Sequence, residues 1–240
     1  MPAVILRPGR GLRVGLLGGS FNPAHQGHLH ISRWALAKLG LDEVWWLVSP
    51  QNPLKPVRGM APLAARVQGA RAIARHPRVR VGAIEADLGT THTADTLQRL
   101  IARFPHVRFV WLMGADNLIQ FSRWHHWRAI FGLVPIAVFA RPTYSLRALA
   151  SVAARRYARA KIPDTETGAL AALRPPAWAF IRIPLSAASA TAIRSRHAAA
   201  RGKRDKDFVK ATTRKIGKTG KGQRRKPSRD GRPRKLPRRA

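Results

Sequence analysis

Two histidines lie three residues apart, just after a pair of glycines and at the start of a predicted helix. The run is Gly18-Gly19-Ser20-Phe21-Asn22-Pro23-Ala24-His25-Gln26-Gly27-His28. Glycines allow a backbone to approach a ligand closely, and a helix N-terminus offers unpaired N–H groups and a positive dipole. Imidazoles spaced by three residues on a helix point the same way. We therefore predict an anion site at this corner of the fold, suited to a phosphate group.

The elements around this corner are predicted from the spacing of apolar residues. Residues 12–17 are a short apolar run, typical of a buried strand, and residues 29–39 have the period of a helix. Five further strands are predicted over residues 43–48, 79–84, 107–113, 133–140 and 179–183. Helices are predicted over residues 61–74, 93–104, 118–130 and 145–160, and loops over 85–92 and 163–176. Thr93 is available as the N-cap of the second of these helices.

Strands of continuous apolar character that alternate with helices predict an α/β fold, a Rossmann-like doubly wound parallel sheet covered on both faces. Such a sheet places its ligand crevice at the carboxyl ends of the strands. Polar residues follow four of the predicted strands, in the Gly18 loop, at Asn52 and Lys55, over residues 91–95 and at Asp116. We expect these residues to meet at one edge of the sheet.

The run from Gly18 to His28 resembles the GG[ST]FxPxHxGH signature of the nucleotidyltransferase superfamily, whose members transfer AMP or CMP from a nucleoside triphosphate. Residues 189–194 (SATAIR) are similar to the second signature of that superfamily, ISSTxIR. Three more segments are similar to patterns of nicotinate mononucleotide adenylyltransferases. Residues 50–55 (PQNPLK) resemble the family's PxxxPxK loop, and residues 91–97 (THTADTL) resemble its SYTxDTL segment. Residues 111–130 resemble its FxMGADNLxxFxxWxxWxxI segment. The resemblance covers residues 12–194, and it implies a nucleotidylyl transferase fold and AMP transfer from ATP to nicotinate mononucleotide.

The resemblance also implies a role for each matching residue. The catalytic residues would be His25, His28, Lys55 and Arg194. ATP would be bound by Gly18, Gly19, Ser20, Phe21, His25, His28, Gly114, Asp116, Ser189, Thr191 and Arg194. Nicotinate mononucleotide would be bound by Ser20, Asn52, Lys55, Thr93, Asp95 and Trp124. Mg²⁺ would arrive with ATP, and no metal site made by the protein alone is expected.

Two of these residues keep a second interpretation. Trp124 either stacks on the pyridine ring or packs as a core aromatic, and Asp116 either caps a helix or meets adenosine or hydrated Mg²⁺. Two positions depart from the family pattern, because His92 replaces a tyrosine and a leucine precedes Lys55 where a histidine is usual. A sister enzyme that uses nicotinamide mononucleotide or phosphopantetheine would share both signatures, so the acceptor stays open, as does the oligomeric state.

Charge divides the chain into two parts. The 240 residues contain 45 Lys and Arg but only 11 Asp and Glu, a formal net charge of +34, and 19 of the basic residues lie within residues 195–240. We predict a nucleotidyltransferase domain over residues 1–198 and a disordered, basic tail over residues 199–240. The tail either contacts nucleic acid or other polyanions non-specifically or stays solvated without a specific partner. It replaces the aromatic-rich closing helix of the family, either as a gained arm or through a reading-frame shift near residue 195.

Composition also excludes several classes of site. The chain has no cysteine, which excludes disulfides, thiolate metal ligands and cysteine nucleophiles. No apolar run is long enough to span a bilayer, and the N-terminus lacks an apolar signal core. We therefore expect a cytoplasmic protein without a membrane partner.

Overall fold

Parallel strands form the centre of the fold, and helices cover both faces of the sheet that they make. The computed structural model describes residues 9, 11–50 and 59–184. The strands within these residues are β1 (Arg13–Gly19), β2 (Glu43–Val48), β3 (Val79–Gly82), β4 (Arg108–Gly114), β5 (Ile136–Phe139), β6 (Lys161–Ile162) and β7 (Trp178–Ile181). Their order across the sheet is β3-β2-β1-β4-β5-β7-β6, and each neighbouring pair is parallel. The direction of winding reverses between β1 and β4, which confirms the doubly wound arrangement.

The helices connect the strands and differ greatly in length. They are α1 (Gln26–Lys38), α2 (Leu63–Ile73), α3 (Ile84–Leu88), α4 (Thr93–Arg103), α5 (Ala115–Gln120), α6 (Trp127–Leu133), α7 (Ser145–Leu149) and α8 (Val152–Arg156). Short 3₁₀ segments lie at Phe121–Arg123, Ala158–Ala160 and Asp164–Ala172.

The continuous apolar character of the strands has a direct structural reason, because each face of the sheet packs on its own core. In β2, Trp46 belongs to the core beneath α1, whereas its neighbour Trp45 belongs to the core on the opposite face. Both indole rings are almost completely buried. Side chains alternate between the two faces of a strand, so a central strand with two buried faces needs apolar residues at every position.

Several predicted elements differ from the structure. The predicted loop over residues 85–92 begins with helix α3, which ends at Gly89 in the left-handed conformation, with a φ of 60°. The predicted helix over 118–130 is broken, because Trp124 is extended and His126 has a φ of 49°. Thr93 is the first residue of α4 rather than its N-cap, which is His92. The short edge strand β6 was not predicted.

Five of the predicted site residues lie outside the described part of the chain: Asn52, Lys55, Ser189, Thr191 and Arg194. The predicted domain boundary at residues 198 and 199 and the basic tail lie outside it as well. Among the residues that are described, none of the helices combines the length and the apolar character that crossing a membrane requires.

Candidate active site

The two histidines of the glycine-rich run hold each other in place at the start of α1. His25 is the N-cap, and its Nδ1 accepts a hydrogen bond from the backbone N–H of Gly27 at 3.2 Å. The Nδ1 of His28 accepts from the backbone N–H of His25, also at 3.2 Å. The ring centroids of the two imidazoles are 3.9 Å apart. Because a neutral imidazole that accepts through Nδ1 carries its proton on Nε2, both rings keep an Nε2–H donor.

His25 is buried, and its surroundings keep it neutral. The pKa of His25 is lowered to about 4, chiefly by burial and to a smaller extent by the positive charge of Arg141, while the carboxylate of Asp116 opposes this shift. Burial disfavours the charged form of an imidazole. At neutral pH His25 is therefore a hydrogen-bond donor without a formal charge.

Asp116 and Arg141 form an ion pair next to this imidazole. An Nη of Arg141 lies 3.0 Å from Oδ2 of Asp116, and both side chains are partly exposed. Asp116 is the second residue of α5, and Arg141 follows β5, so the pair joins the carboxyl ends of two neighbouring strands. The Oδ1 atom of Asp116 is buried and has no hydrogen-bond partner within the described residues.

Gly114, at the end of β4, makes room for this ion pair. A Cβ atom at this position would lie 2.5 Å from Oδ1 of Asp116 and 2.8 Å from Cδ of Arg141. Both distances are shorter than any normal contact between non-bonded atoms. Glycine at position 114 thus has a steric reason, whereas Arg141 was not among the site residues predicted from the sequence. The signal that could have identified Arg141 as a site residue is its position after an apolar strand, at the same edge of the sheet as Asp116.

The glycine-rich loop is packed against aromatic rings. A Cβ atom at Gly18 would lie 2.5 Å from Cη2 of Trp111, so only glycine fits there without a shift of that indole. Phe21 has a φ of 45° and is buried, and its ring stacks on Trp46 with the centroids 5.2 Å apart. A left-handed backbone at a bulky residue is unfavourable and needs support from its surroundings. The stacked ring provides part of that support.

Trp124 combines features of both interpretations that the sequence left open. Its ring centroid lies 4.9 Å from that of Phe121 and 6.3 Å from that of Trp111, which is core packing. The side chain is nevertheless only half-buried. Trp111 contacts the Gly18 position and Trp124, so this indole lies between the glycine-rich loop and the predicted pyridine-stacking residue.

The other residues predicted to bind nicotinate mononucleotide, Thr93 and Asp95, lie in the first turn of α4 and are half-buried. The N-cap residue His92 makes no side-chain hydrogen bond to this turn. Its ring lies instead 4.3 Å from the ring of His125, next to Trp124 in sequence. This contact brings the start of α4 close to the Trp124 segment.

Two further ionisable residues at the carboxyl edge were missed in the sequence. Arg66 of α2 is 4% exposed and donates to the carbonyl oxygens of Ser20 and Ser49, at 2.7 and 2.6 Å. Glu85 of α3 is 5% exposed, and burial raises its pKa to about 7, while a hydrogen bond from Ser49 opposes the shift. Charged residue types are rarely buried, so the sequence contained no signal for the burial of Arg66 and Glu85.

Known proteins are similar to this chain in sequence and in fold. A sequence profile of the cytidylyltransferase-like family matches residues 16–196. A protein of Cereibacter sphaeroides named probable nicotinate-nucleotide adenylyltransferase is 58% identical over 182 residues, which is 76% of this chain and 96% of that protein. A protein of Parvibaculum lavamentivorans with the same name is 56% identical over 186 residues, 78% of this chain and 92% of its own length.

The solved structures that are similar have much lower sequence identity. The nicotinic acid mononucleotide adenylyltransferase of Plasmodium falciparum, complexed with NaAD, matches with a TM-score of 0.57 and 15% identity. The match covers 77% of this chain and 83% of that structure. At this level of identity the likeness confirms the α/β nucleotidyltransferase fold.

Proposed function

This chain belongs to the cytidylyltransferase-like family, among the nicotinate-nucleotide adenylyltransferases, and we propose that its carboxyl-edge site transfers AMP from ATP to nicotinate mononucleotide. The products are deamido-NAD and pyrophosphate, a step of NAD biosynthesis. The observation that carries the proposal is the pair of imidazoles at the start of α1, each held through Nδ1 by a backbone N–H so that Nε2 is the donor.

The reaction is a direct in-line displacement. An oxygen of the 5′-phosphate of nicotinate mononucleotide forms a bond to the α-phosphorus of ATP, and the bond from that phosphorus to the bridging oxygen breaks. The electron pair leaves with pyrophosphate, and no proton transfer is needed at the nucleophile, because the phosphate is already anionic. Catalysis then consists of positioning and charge stabilisation, as in other phosphoryl transfers.

The residues of the described site divide this work. His25 and His28 donate through Nε2 to the triphosphate and stabilise the charge that develops on the α-phosphate. A neutral donor suits His25, because protonating a buried imidazole beside Arg141 is unfavourable. The N–H groups of the glycine-rich loop, from Gly18 to Phe21, bind phosphate oxygens in the same pocket.

Nicotinate mononucleotide, the acceptor, lies on the side of Trp111 that is next to Trp124, away from the glycine-rich loop. We infer that the pyridine ring of nicotinate mononucleotide stacks on the exposed face of Trp124, since an electron-poor ring suits an indole face. The N–H groups at Thr93 and Asp95, in the first turn of α4, receive its carboxylate. The predicted phosphate contacts of Asn52, Lys55, Ser189, Thr191 and Arg194 concern residues outside the described part of the chain and stay predictions.

Mg²⁺ belongs to this reaction as a companion of ATP. The described residues contain no group of three or more His, Cys, Asp or Glu side chains that could hold a metal ion. They do contain Asp116, a carboxylate close enough to His25 to influence its charge, with one oxygen that lacks a hydrogen-bond partner within these residues. Asp116 would therefore face an ion held mainly by phosphate oxygens and water, as Mg²⁺ prefers. When bound, the ion neutralises part of the charge on the leaving pyrophosphate.

The test is a pyrophosphate-release assay with the purified chain, ATP and Mg²⁺. Nicotinate mononucleotide, nicotinamide mononucleotide and phosphopantetheine are offered as separate acceptors. We expect the highest kcat/KM with nicotinate mononucleotide and formation of deamido-NAD. Preference for either of the other acceptors would identify a sister enzyme, and release with no acceptor present would indicate ATP hydrolysis instead.

A further inference from the structure

Arg66 occupies an unusual position, because within the described residues its guanidinium group binds only backbone carbonyl oxygens. One Nη atom donates to Ser20 and Ser49, at 2.7 and 2.6 Å, and the other donates to Pro50 at 2.8 Å. The Nε atom donates to Ala61 at 2.9 Å. The side chain thus joins the segments that follow β1 and β2 to the segment that precedes α2.

The positive charge of Arg66 has no carboxylate partner among the residues that the structure describes. None of the ion pairs found within the described residues includes it. Burial lowers the pKa of Arg66, although a guanidinium stays protonated in proteins. Four carbonyl dipoles solvate this cation but do not neutralise it, and buried charges are usually paired. Within the described residues no ion pair therefore offsets the charge of Arg66 where it contacts the backbone of the glycine-rich loop, at Ser20.

The contact with Ser20 also fixes the direction of an N–H group. The peptide bond between Ser20 and Phe21 is trans, so its carbonyl and its N–H point in opposite directions. Since the carbonyl points at Arg66, the N–H of Phe21 points away from it. This N–H has no hydrogen-bond acceptor in the described part of the chain. The carbonyl of the preceding residue, Gly19, is held in turn by the N–H of Ser49 at 2.9 Å.

We propose that Arg66 is a positioning residue for the substrate phosphate: by binding the Ser20 and Ser49 carbonyls it directs the Phe21 N–H into the anion pocket, and it places behind that pocket a positive charge that no carboxylate of the described residues pairs with. The left-handed φ of 45° at Phe21 is one half of the backbone pattern, a right-handed residue next to a left-handed one, in which successive N–H groups converge on an anion. Arg66 itself touches no substrate. The identity of the phosphate as that of ATP rests on the proposed function.

Two substitutions separate geometry from charge. Arg66→Lys keeps the positive charge but loses the fork that binds several carbonyls at once, and Arg66→Met removes both. Arg71→Met is the matched control, because Arg71 lies on the same helix with an exposed side chain. For each purified protein, the Kd of inorganic pyrophosphate is measured by calorimetry, KM and kcat by pyrophosphate release, and Tm by thermal unfolding.

We expect Arg66→Lys to raise the Kd of pyrophosphate and the KM for ATP about tenfold, with a smaller change in kcat. The loss of one charge-assisted hydrogen bond weakens binding by about this factor. Arg66→Met should raise Kd further, and Arg71→Met should change it less than about twofold. If Arg66→Met does not fold, Arg66→Lys alone decides. A Kd and a KM within twofold of the unsubstituted protein in Arg66→Lys, whatever its Tm, would overturn the inference, because Arg66 would then only stabilise the fold.

The two proposals fail in different ways. Normal pyrophosphate binding that is weakened by the Arg66 substitutions, without turnover of nicotinate mononucleotide, would refute the proposed acceptor and support the positioning role. Absence of pyrophosphate binding in the unsubstituted protein would overturn the positioning role.

Discussion

Replacing Glu85 by glutamine should make this protein more stable at alkaline pH and leave its stability unchanged in acid. Glu85 is the second residue of α3 and is almost fully buried. Its Oε2 atom has no hydrogen-bond partner in the described part of the chain. Burial raises its pKa from 4.5 to about 7, against the opposing hydrogen bond from Ser49. The folded protein therefore prefers the protonated carboxyl group.

The sign and size of the effect follow from these two pKa values. Below pH 4.5 the carboxyl group is protonated in the folded and the unfolded chain, so Glu85 makes no pH-dependent contribution. Between pH 4.5 and 7 the unfolded chain loses the proton first, and the free energy of unfolding falls as pH rises. Above pH 7 the penalty is constant at about 3 kcal/mol, since each pKa unit corresponds to about 1.4 kcal/mol.

The assay is urea unfolding of the unsubstituted protein and Glu85→Gln at pH 4 and pH 8. Other titrating groups are common to both proteins, so they cancel in the difference between them. We expect Glu85→Gln to raise the free energy of unfolding by up to about 3 kcal/mol at pH 8 and to leave it unchanged at pH 4. An unpaired amide hydrogen of the glutamine would lower the free energy of unfolding equally at both pH values. Asp87→Asn, at an exposed position of the same helix, is the control and should show no such pH dependence. An equal difference at the two pH values would refute the assignment of a buried, protonated Glu85.

Three further predictions concern the site itself. His28→Ala should lower kcat about 100-fold with a smaller change in the KM for ATP, and near-normal turnover would contradict its role. Gly114→Ala should lower kcat/KM for ATP about tenfold or more, because the added methyl group displaces the Asp116 carboxylate. The control is Gly82→Ala, because Gly82 has open space around it. Equal effects of the two substitutions would contradict the steric argument. Trp124→Ala should raise the KM for nicotinate mononucleotide about tenfold in steady-state assays and leave that for ATP unchanged, and a reversed pattern would favour a purely structural tryptophan.

The sequence was sufficient to predict the parts of the fold that depend on apolar spacing. The strand over residues 43–48 has the same bounds in the structure, and the predicted strand 107–113 differs from β4 by one residue at each end. Such strands are recognisable because both of their faces are buried, so each position after the first is apolar. The glycine-rich run was equally recognisable, since its residue types are dictated by close backbone approach at Gly18 and by the start of α1.

The parts that could not be predicted depend on contacts between distant segments. The helix expected over residues 118–130 has a helical apolar period, but the aromatic packing of Trp124 against Phe121 and Trp111 holds an extended residue in its middle. Arg141 follows its strand by two residues, and only the sheet order reveals that it lies opposite Asp116. Local sequence carries no information about which strand ends become neighbours.

The buried ionisable residues show why the hardest residues to predict lie beside the site. Among the described residues, the buried side chains that can carry a charge are His25, Arg66 and Glu85, and all three contact or follow the carboxyl ends of β1, β2 and β3. Each is unfavourable in isolation, because burial of a charged group must be offset by polar partners. Those partners are backbone groups and the hydroxyl of Ser49, which are available where strands end and the ladder of sheet hydrogen bonds stops. The edge that we propose to bind a substrate phosphate is thus also the part of the core that accommodates these three side chains, and their burial beside the site perturbs their pKa values.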